Sequence, residues 1–255
     1  MSLPSYSSSD APAQDSEPPP YTGSSGSAAA ASATTTQQKG LLPPETLILT
    51  GDAIHSGTSA SALQLYALSH NLAEVREFHT AIDLSRLDSR VNDASLRITS
   101  TRKRIHTLTR PPPITGTSFP YYLENPSRRG SPFAALEPHR RWRSSGYRLL
   151  KVGPGRGPAD DRVLGVLFSV KARGQGRYDW REGSERGRVL GYETFVQGLC
   201  QMQIVEGLER GSRDLLVAAW CLRVYSEVLD GVPRPGGKCW LWPLLRNMWC
   251  RLCFC

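Results

Sequence analysis

Beyond Leu41 the chain alternates short apolar runs with polar residues and turn formers, the pattern of half-buried antiparallel strands. Pro43 and Pro44 precede the first run, Thr46-Leu47-Ile48-Leu49, and Gly51-Asp52 supply a turn after it. Residues 63–68, 81–84, 96–99 and 105–108 repeat the pattern, and a break at Pro111-Pro112-Pro113 follows. Strands are then predicted over 121–123, 147–150 and 163–170, the last being the most apolar, with 153–157 as a glycine-proline hairpin loop. Segments 188–195 and 201–205 extend the series.

One segment departs from it. Residues 213–229 lack proline and glycine, and Leu215 to Leu222, with Val224, Tyr225 and Val228, place apolar groups around nearly the whole circumference of a helix. A helix apolar on all sides is buried on all sides. Ser212 is positioned to cap its start, Asp214 suits its positive end, and Gly231 with Pro233 can stop it. It is too short to span a bilayer, and Arg213, Arg223 and Glu227 count against that use. Many short strands with one late apolar helix predict a mainly β, α+β fold over 41–231: a closed or nearly closed antiparallel barrel around a hydrophobic helix.

Composition separates the two ends from this region. Residues 1–40 are serine, alanine, threonine and proline with few large apolar groups, which cannot offset the entropy of ordering, so a disordered arm is expected. Within it Pro18-Pro19-Pro20-Tyr21 has the Pro-Pro-x-Tyr spacing that WW domains read, because a preformed polyproline helix loses little entropy on docking. Pro18, Pro19 and Tyr21 are the predicted contacts. At the other end, 232–255 mixes tryptophan, leucine, arginine and four of the six cysteines. Exposed, such a tail needs a partner; interfacial membrane insertion suits tryptophan and arginine, and Cys250, Cys253 and Cys255 are candidates for acylation. The ending Cys253-Phe254-Cys255 also resembles a doubly prenylated Cys-x-Cys terminus.

The net charge of +8, with arginine far outnumbering lysine, points to an acidic partner. An anionic membrane lipid is the expected one, and no nucleic acid is expected. Candidate contacts are Arg102, Lys103 and Arg104, and Arg140, Arg141 and Arg143 around Trp142, read as solvated loops. No apolar stretch opens the chain as a secretory signal, so a cytoplasmic location, peripheral to a membrane, is expected and the cysteines read as thiols.

Catalytic motifs are weak. Ser100-Thr101-Arg102-Lys103 has the Ser-x-x-Lys spacing, which leaves a hydrolase using Ser100 and Lys103 as the alternative function, but its companion motifs are missing. The glycines of 153–157 lack the Lys-Ser or Lys-Thr of a phosphate loop. The histidines show no metal-ligand spacing, and the terminal cysteines lack the paired knuckles of zinc modules, so no metal or cofactor is predicted.

Leu47 to Ser56, Leu65 to Ser69, and the run from Arg213 to Val224 together resemble a group of fungal proteins similar in layout to the tubby C-terminal and phospholipid-scramblase-like folds. The resemblance spans 41–230. It implies a closed barrel holding a C-terminal hydrophobic helix, and a binding or membrane-associated module, not a catalyst. No position matches the ligand-contacting motif of tubby domains. Scramblase-like proteins combine proline-tyrosine arms with acylated cysteines, which implies a WW-bearing ubiquitin ligase as partner here.

Overall fold

The computed structural model describes residues 40–57, 63–92, 97–127, 132–141, 144–154, 161–174 and 176–231. The expected arm with its proline-tyrosine motif, and the Cys/Trp-rich tail, lie outside them.

Strands β1 (Leu41–Leu42), β2 (Glu45–Thr50), β3 (Ala53–Ser56), β4 (Gln64–Leu68), β5 (Ala81–Asn92), β6 (Arg97–Thr109) and β7 (Tyr121–Glu124) form the first half. The second half comprises β8 (Pro132–Arg141), β9 (Ser144–Pro154), β10 (Asp161–Gly174), β11 (Arg177–Glu182), β12 (Val189–Val196), β13 (Leu199–Ile204) and β14 (Leu208–Glu209), followed by the helix α1 (Arg210–Leu229). From β2 to β13 each strand pairs antiparallel with the next, and β13 returns to β2, closing a barrel of twelve strands. β1 pairs outside it with β14. Closure removes the unpaired edges that an open sheet would present.

A barrel of this size is too wide for wall side chains alone to fill. Helix α1 fills it. Leu216, Val217, Ala218, Ala219, Trp220, Cys221, Leu222, Val224 and Tyr225 are each fully buried and belong to one cluster with inward residues of the wall, among them Leu47, Leu84, Leu136 and Met202. The period of two sorts the wall cleanly. On β7, Tyr121 and Leu123 face the helix, while Tyr122 packs outside against Ala135, Leu150, Val152 and Phe119.

The fold class agrees with the sequence reading, and the boundaries differ in informative ways. β6 is one long strand, not two short ones with a basic loop between; Arg102, Lys103 and Arg104 pair with Leu87, Arg86 and Ser85 of β5. The interruption predicted there reflected polarity. A two-stranded ribbon outside the wall needs no apolar face, and β4 and β7 flank this hairpin only at 84–86 and 107–109. β8 escaped detection because Pro132 and Pro138 disguise it. β3 and β11 are short and carry charged or polar residues on one face.

The helix begins at Arg210, three residues before the predicted start, with Glu209 as N-cap and no side-chain capping bond. Ser212 therefore lies in the first turn and is not the cap. The C-terminal stop holds: the Asp230 amide donates to Ser226 O at 2.8 Å, and Gly231 takes the left-handed φ of 63° that favours glycine. Cys200 and Cys221 are buried thiols. Among the described residues no helix is long and apolar enough to cross a membrane.

Two substitutions test this packing by urea unfolding. Leu222→Ala, in the lumen, is expected to cost about 2–5 kcal/mol. Gly146→Ala is expected to cost about 1–3 kcal/mol, because its new Cβ would strike the Val170 carbonyl oxygen across the β9–β10 ladder. Retention of wild-type stability by Leu222→Ala would show that α1 does not sit in the wall as described, and by Gly146→Ala that β9 and β10 are not paired as described.

Candidate functional site

The lumen carries charge at its centre. Arg223 is fully buried in α1, with its guanidinium paired to Glu193 of β12 and to Glu227 one helical turn on. The guanidinium carbon lies 4.2 Å from the centre of the Tyr178 ring. Glu193 also accepts from Trp180 Nε1 at 3.2 Å, and Glu227 accepts the hydroxyls of Tyr178 at 2.6 Å and Tyr147 at 3.3 Å. Burial raises both tyrosine pKa values and keeps them as donors. Burial opposes the charge on Arg223, but Glu193 and Glu227 outweigh it and raise its pKa. With two carboxyls and one guanidinium, the excess appears at Glu193, where burial raises the pKa despite Arg223.

The two ends of α1 define the two ends of the barrel. At the N-terminal end Tyr66 donates to Asp214 Oδ1 at 3.1 Å, Arg86 pairs with Asp214, and Arg213 pairs with Glu45. Burial raises the Asp214 pKa, with Arg86 opposing. The β5–β6 ribbon projects past this end. Arg86 Nε reaches Asp88 Oδ1 at 2.9 Å, and Arg210 lies 3.6 Å from the same oxygen. A cleft of about 340 Å³ opens beside them, floored by Pro43, Pro44 and Arg213. A second, of about 490 Å³, lies between Leu41, Leu167, Leu208 and Ser212.

At the C-terminal end the Tyr225 hydroxyl donates to the His79 carbonyl, and the Tyr121 hydroxyl donates to Asp230 Oδ1 at 2.7 Å. The 69–80 and 110–120 connections meet here, joined by the Arg110 amide to Thr80 O at 2.8 Å. The far end of β8 lies on the same side, past the Tyr121–Leu136 pair.

This geometry divides the predicted basic residues. Arg102, Lys103 and Arg104 stand on the ribbon at the N-terminal end and are strand residues, not loop residues. Arg104 is 3.2 Å from Asp83 Oδ2, and Arg102 reaches the Leu68 carbonyl at 3.5 Å. Arg140 and Arg141 end β8 at the opposite end of the barrel, so they share no surface with the first group. Arg143 lies outside the described residues, as do Pro18, Pro19, Tyr21, Cys250, Cys253 and Cys255. Ser100 and Lys103 are three residues apart on an unbulged stretch of β6, so they face opposite sides of the ribbon.

The central cluster was not singled out from the sequence. Its one signal was an Arg–Glu pair at i and i+4 inside an otherwise apolar helix, Arg223 and Glu227. Glu193, Tyr147 and Tyr178 give no local hint, because only barrel closure brings them to it. No family model, curated protein or solved structure matches the chain.

Replacing Arg223 by Met would leave two uncompensated carboxyls and is expected to cost about 3–5 kcal/mol in urea unfolding. Glu193→Gln tests the excess charge. A raised folded pKa means that the stabilising contribution of protonated Glu193 is full below the unfolded value and is lost as pH rises through the folded one. Glu193→Gln should therefore gain on wild type as pH rises above about 4.5. A difference that is flat with pH, or that shrinks, would refute it.

Proposed function

We propose that the chain is a non-enzymatic interaction module, peripheral to a membrane at its cytoplasmic face. In this reading basic residues meet anionic lipid, while Pro18, Pro19 and Tyr21 engage a WW-domain protein such as a ubiquitin ligase. The observation that carries it is the filled lumen. The barrel's interior is occupied by α1, and its charged groups pair with one another there. What remains for recognition is the outside, and the two long strands β5 and β6 alone hold six arginine and lysine residues against two aspartates.

A barrel wrapped around one late helix is also the layout that the tubby-like and scramblase-like resemblance implies, which supports placing the chain near that group. The opposed directions of Ser100 and Lys103 lend the hydrolase alternative no support. Each arginine or lysine held near an anionic leaflet contributes about 1 kcal/mol, so a few together give reversible binding. Acyl groups on Cys250, Cys253 or Cys255 would add hydrophobic anchoring.

Two measurements test this. The natively expressed chain should float with vesicles containing about 20 mol% phosphatidylserine but not with neutral vesicles, and should release as salt rises from about 0.1 M to about 1 M. Flotation indifferent to anionic lipid, or no flotation, would refute lipid contact. Tyr21→Ala should abolish capture by an isolated WW domain; capture that survives the substitution would refute the motif.

A further inference from the structure

We infer that the outer edge of β10, from Arg162 to Val166, pairs antiparallel with the same edge of a second copy of this chain. Closure pairs the strands around the waist of the barrel, but a strand that outruns its neighbour keeps a free edge. β10 does so. Its register with β9 starts at Asp161, whereas its register with β11 starts only at Phe168, opposite Glu182. The last bond on that side runs from the Gly183 amide to Leu167 O at 2.8 Å. Among the described residues no strand pairs with the outer side of 161–166.

The side chains are as open as the backbone. Residues 162–166 are exposed in succession, with Val163 at 48%, Leu164 at 53% and Val166 at 37%. A strand lying on a core buries every second residue, so here both faces are uncovered. Phe78 and Ile114 are exposed too, but each stands singly on its own connection, and single apolar residues need no explanation. The β10 stretch is also anchored. The Tyr122 hydroxyl donates to Asp161 Oδ2 at 2.5 Å, the Asp161 amide donates to Ser118 Oγ at 3.4 Å, and Val152, which pairs with Val163, is buried against Tyr122 and Phe119. A strand held in this way loses little entropy on pairing.

The chemistry of the edge selects its occupant. Unpaired amides and carbonyls in a row call for an extended backbone, so the occupant is a strand. Other long free edges of this barrel are blunted by charge: β6 carries Arg102, Lys103 and Arg104 before β7 joins it at Thr107, and β8 carries Glu137, Arg140 and Arg141 past its last pair with β7 at Leu136. Val163 to Leu167 hold neither charge nor proline, so nothing opposes pairing there, and the same residues in a second copy supply a strand of matching apolar character. In a two-fold pair centred on Leu164, Arg162 opposes Val166 of the second copy. The two Arg162 residues then stand about 14 Å apart at about 3.4 Å per residue, beyond the screening length of about 8 Å. Bulges at Leu164 and Leu167 bend β10 and confine the ladder to this stretch. Such a contact uses up the edge of both copies, so it closes at two and does not propagate.

Sedimentation equilibrium of the full chain tests this. The contact is small, so the average mass should rise from one copy toward two between about 5 and 500 µM. Val163→Lys with Val166→Lys should raise the dissociation constant at least about tenfold, with circular dichroism unchanged because both side chains are exposed. In the unaltered chain, hydrogen exchange within 162–166 should slow at the higher concentration. A single-copy mass at every concentration overturns the inference. Association that survives the double variant, or slowed exchange only elsewhere, moves the contact off β10 and overturns it as well. Protection of 162–166 already present in the single copy would show the edge covered from within one chain, and would exclude the second copy as its occupant.

Discussion

The lumen of a twelve-strand barrel must be filled, and everything else in this molecule follows from how α1 fills it. Apolar surface on all sides of the helix supplies the drive, because beyond its exposed first turn the helix is packed against wall residues all round. Such a contact is non-directional. A smooth apolar rod could slide or rotate within the wall at little cost, and the alternatives would compete with the native arrangement. The charged residues remove that freedom: Arg223 must meet Glu193, Asp214 must meet Arg86 and Tyr66, and Arg213 must meet Glu45. Three such contacts spaced along one helix define its depth, rotation and direction together.

That division of labour explains what was legible beforehand. The class of fold was visible because two periods dominate the chain, two in the strands and all-round apolarity in one late segment. Strand boundaries were legible only where apolar residues alternate. β6 looked like two strands because Thr99 to Arg104 are polar, yet an unflanked ribbon needs only its backbone ladder. β8 was hidden by prolines, and the helix start was misplaced because the Ser212 hydroxyl, the usual capping group, is one turn too late. The central cluster was illegible for a different reason. Apart from Arg223 and Glu227 its members lie on separate strands, β9, β11 and β12, and only the curl of the wall around α1 converges them on Arg223.

Closure also limits where recognition can occur. The walls satisfy their own backbone groups, so distinct chemistry gathers at the two ends. The N-terminal end of α1 collects paired charges, the ribbon and two clefts. The C-terminal end collects turns and connections whose polar atoms are tied down locally, leaving apolar tips outward. Grouping Arg102 to Arg104 with Arg140 and Arg141 as one basic surface, a natural step from composition, fails because the helix lies between them.

The hydroxyls at the C-terminal end connect the interior to that outer face. Tyr225 is fully buried in the core cluster, yet its hydroxyl reaches the His79 carbonyl, one residue from Phe78; Tyr121, also buried, reaches Asp230 at the helix end. The two rings meet edge to face at 5.8 Å, so loop, helix terminus and wall are joined through one aromatic pair. Burial pushes the Tyr225 pKa up to about 12, which keeps its hydroxyl a donor at any physiological pH. The position of Phe78 is thereby set by the same packing that seats α1. A helix displaced along the lumen would withdraw Tyr225 from His79 and release the loop, so the outward display of apolar side chains at this end is a consequence of the charged contacts that lock the helix at its centre.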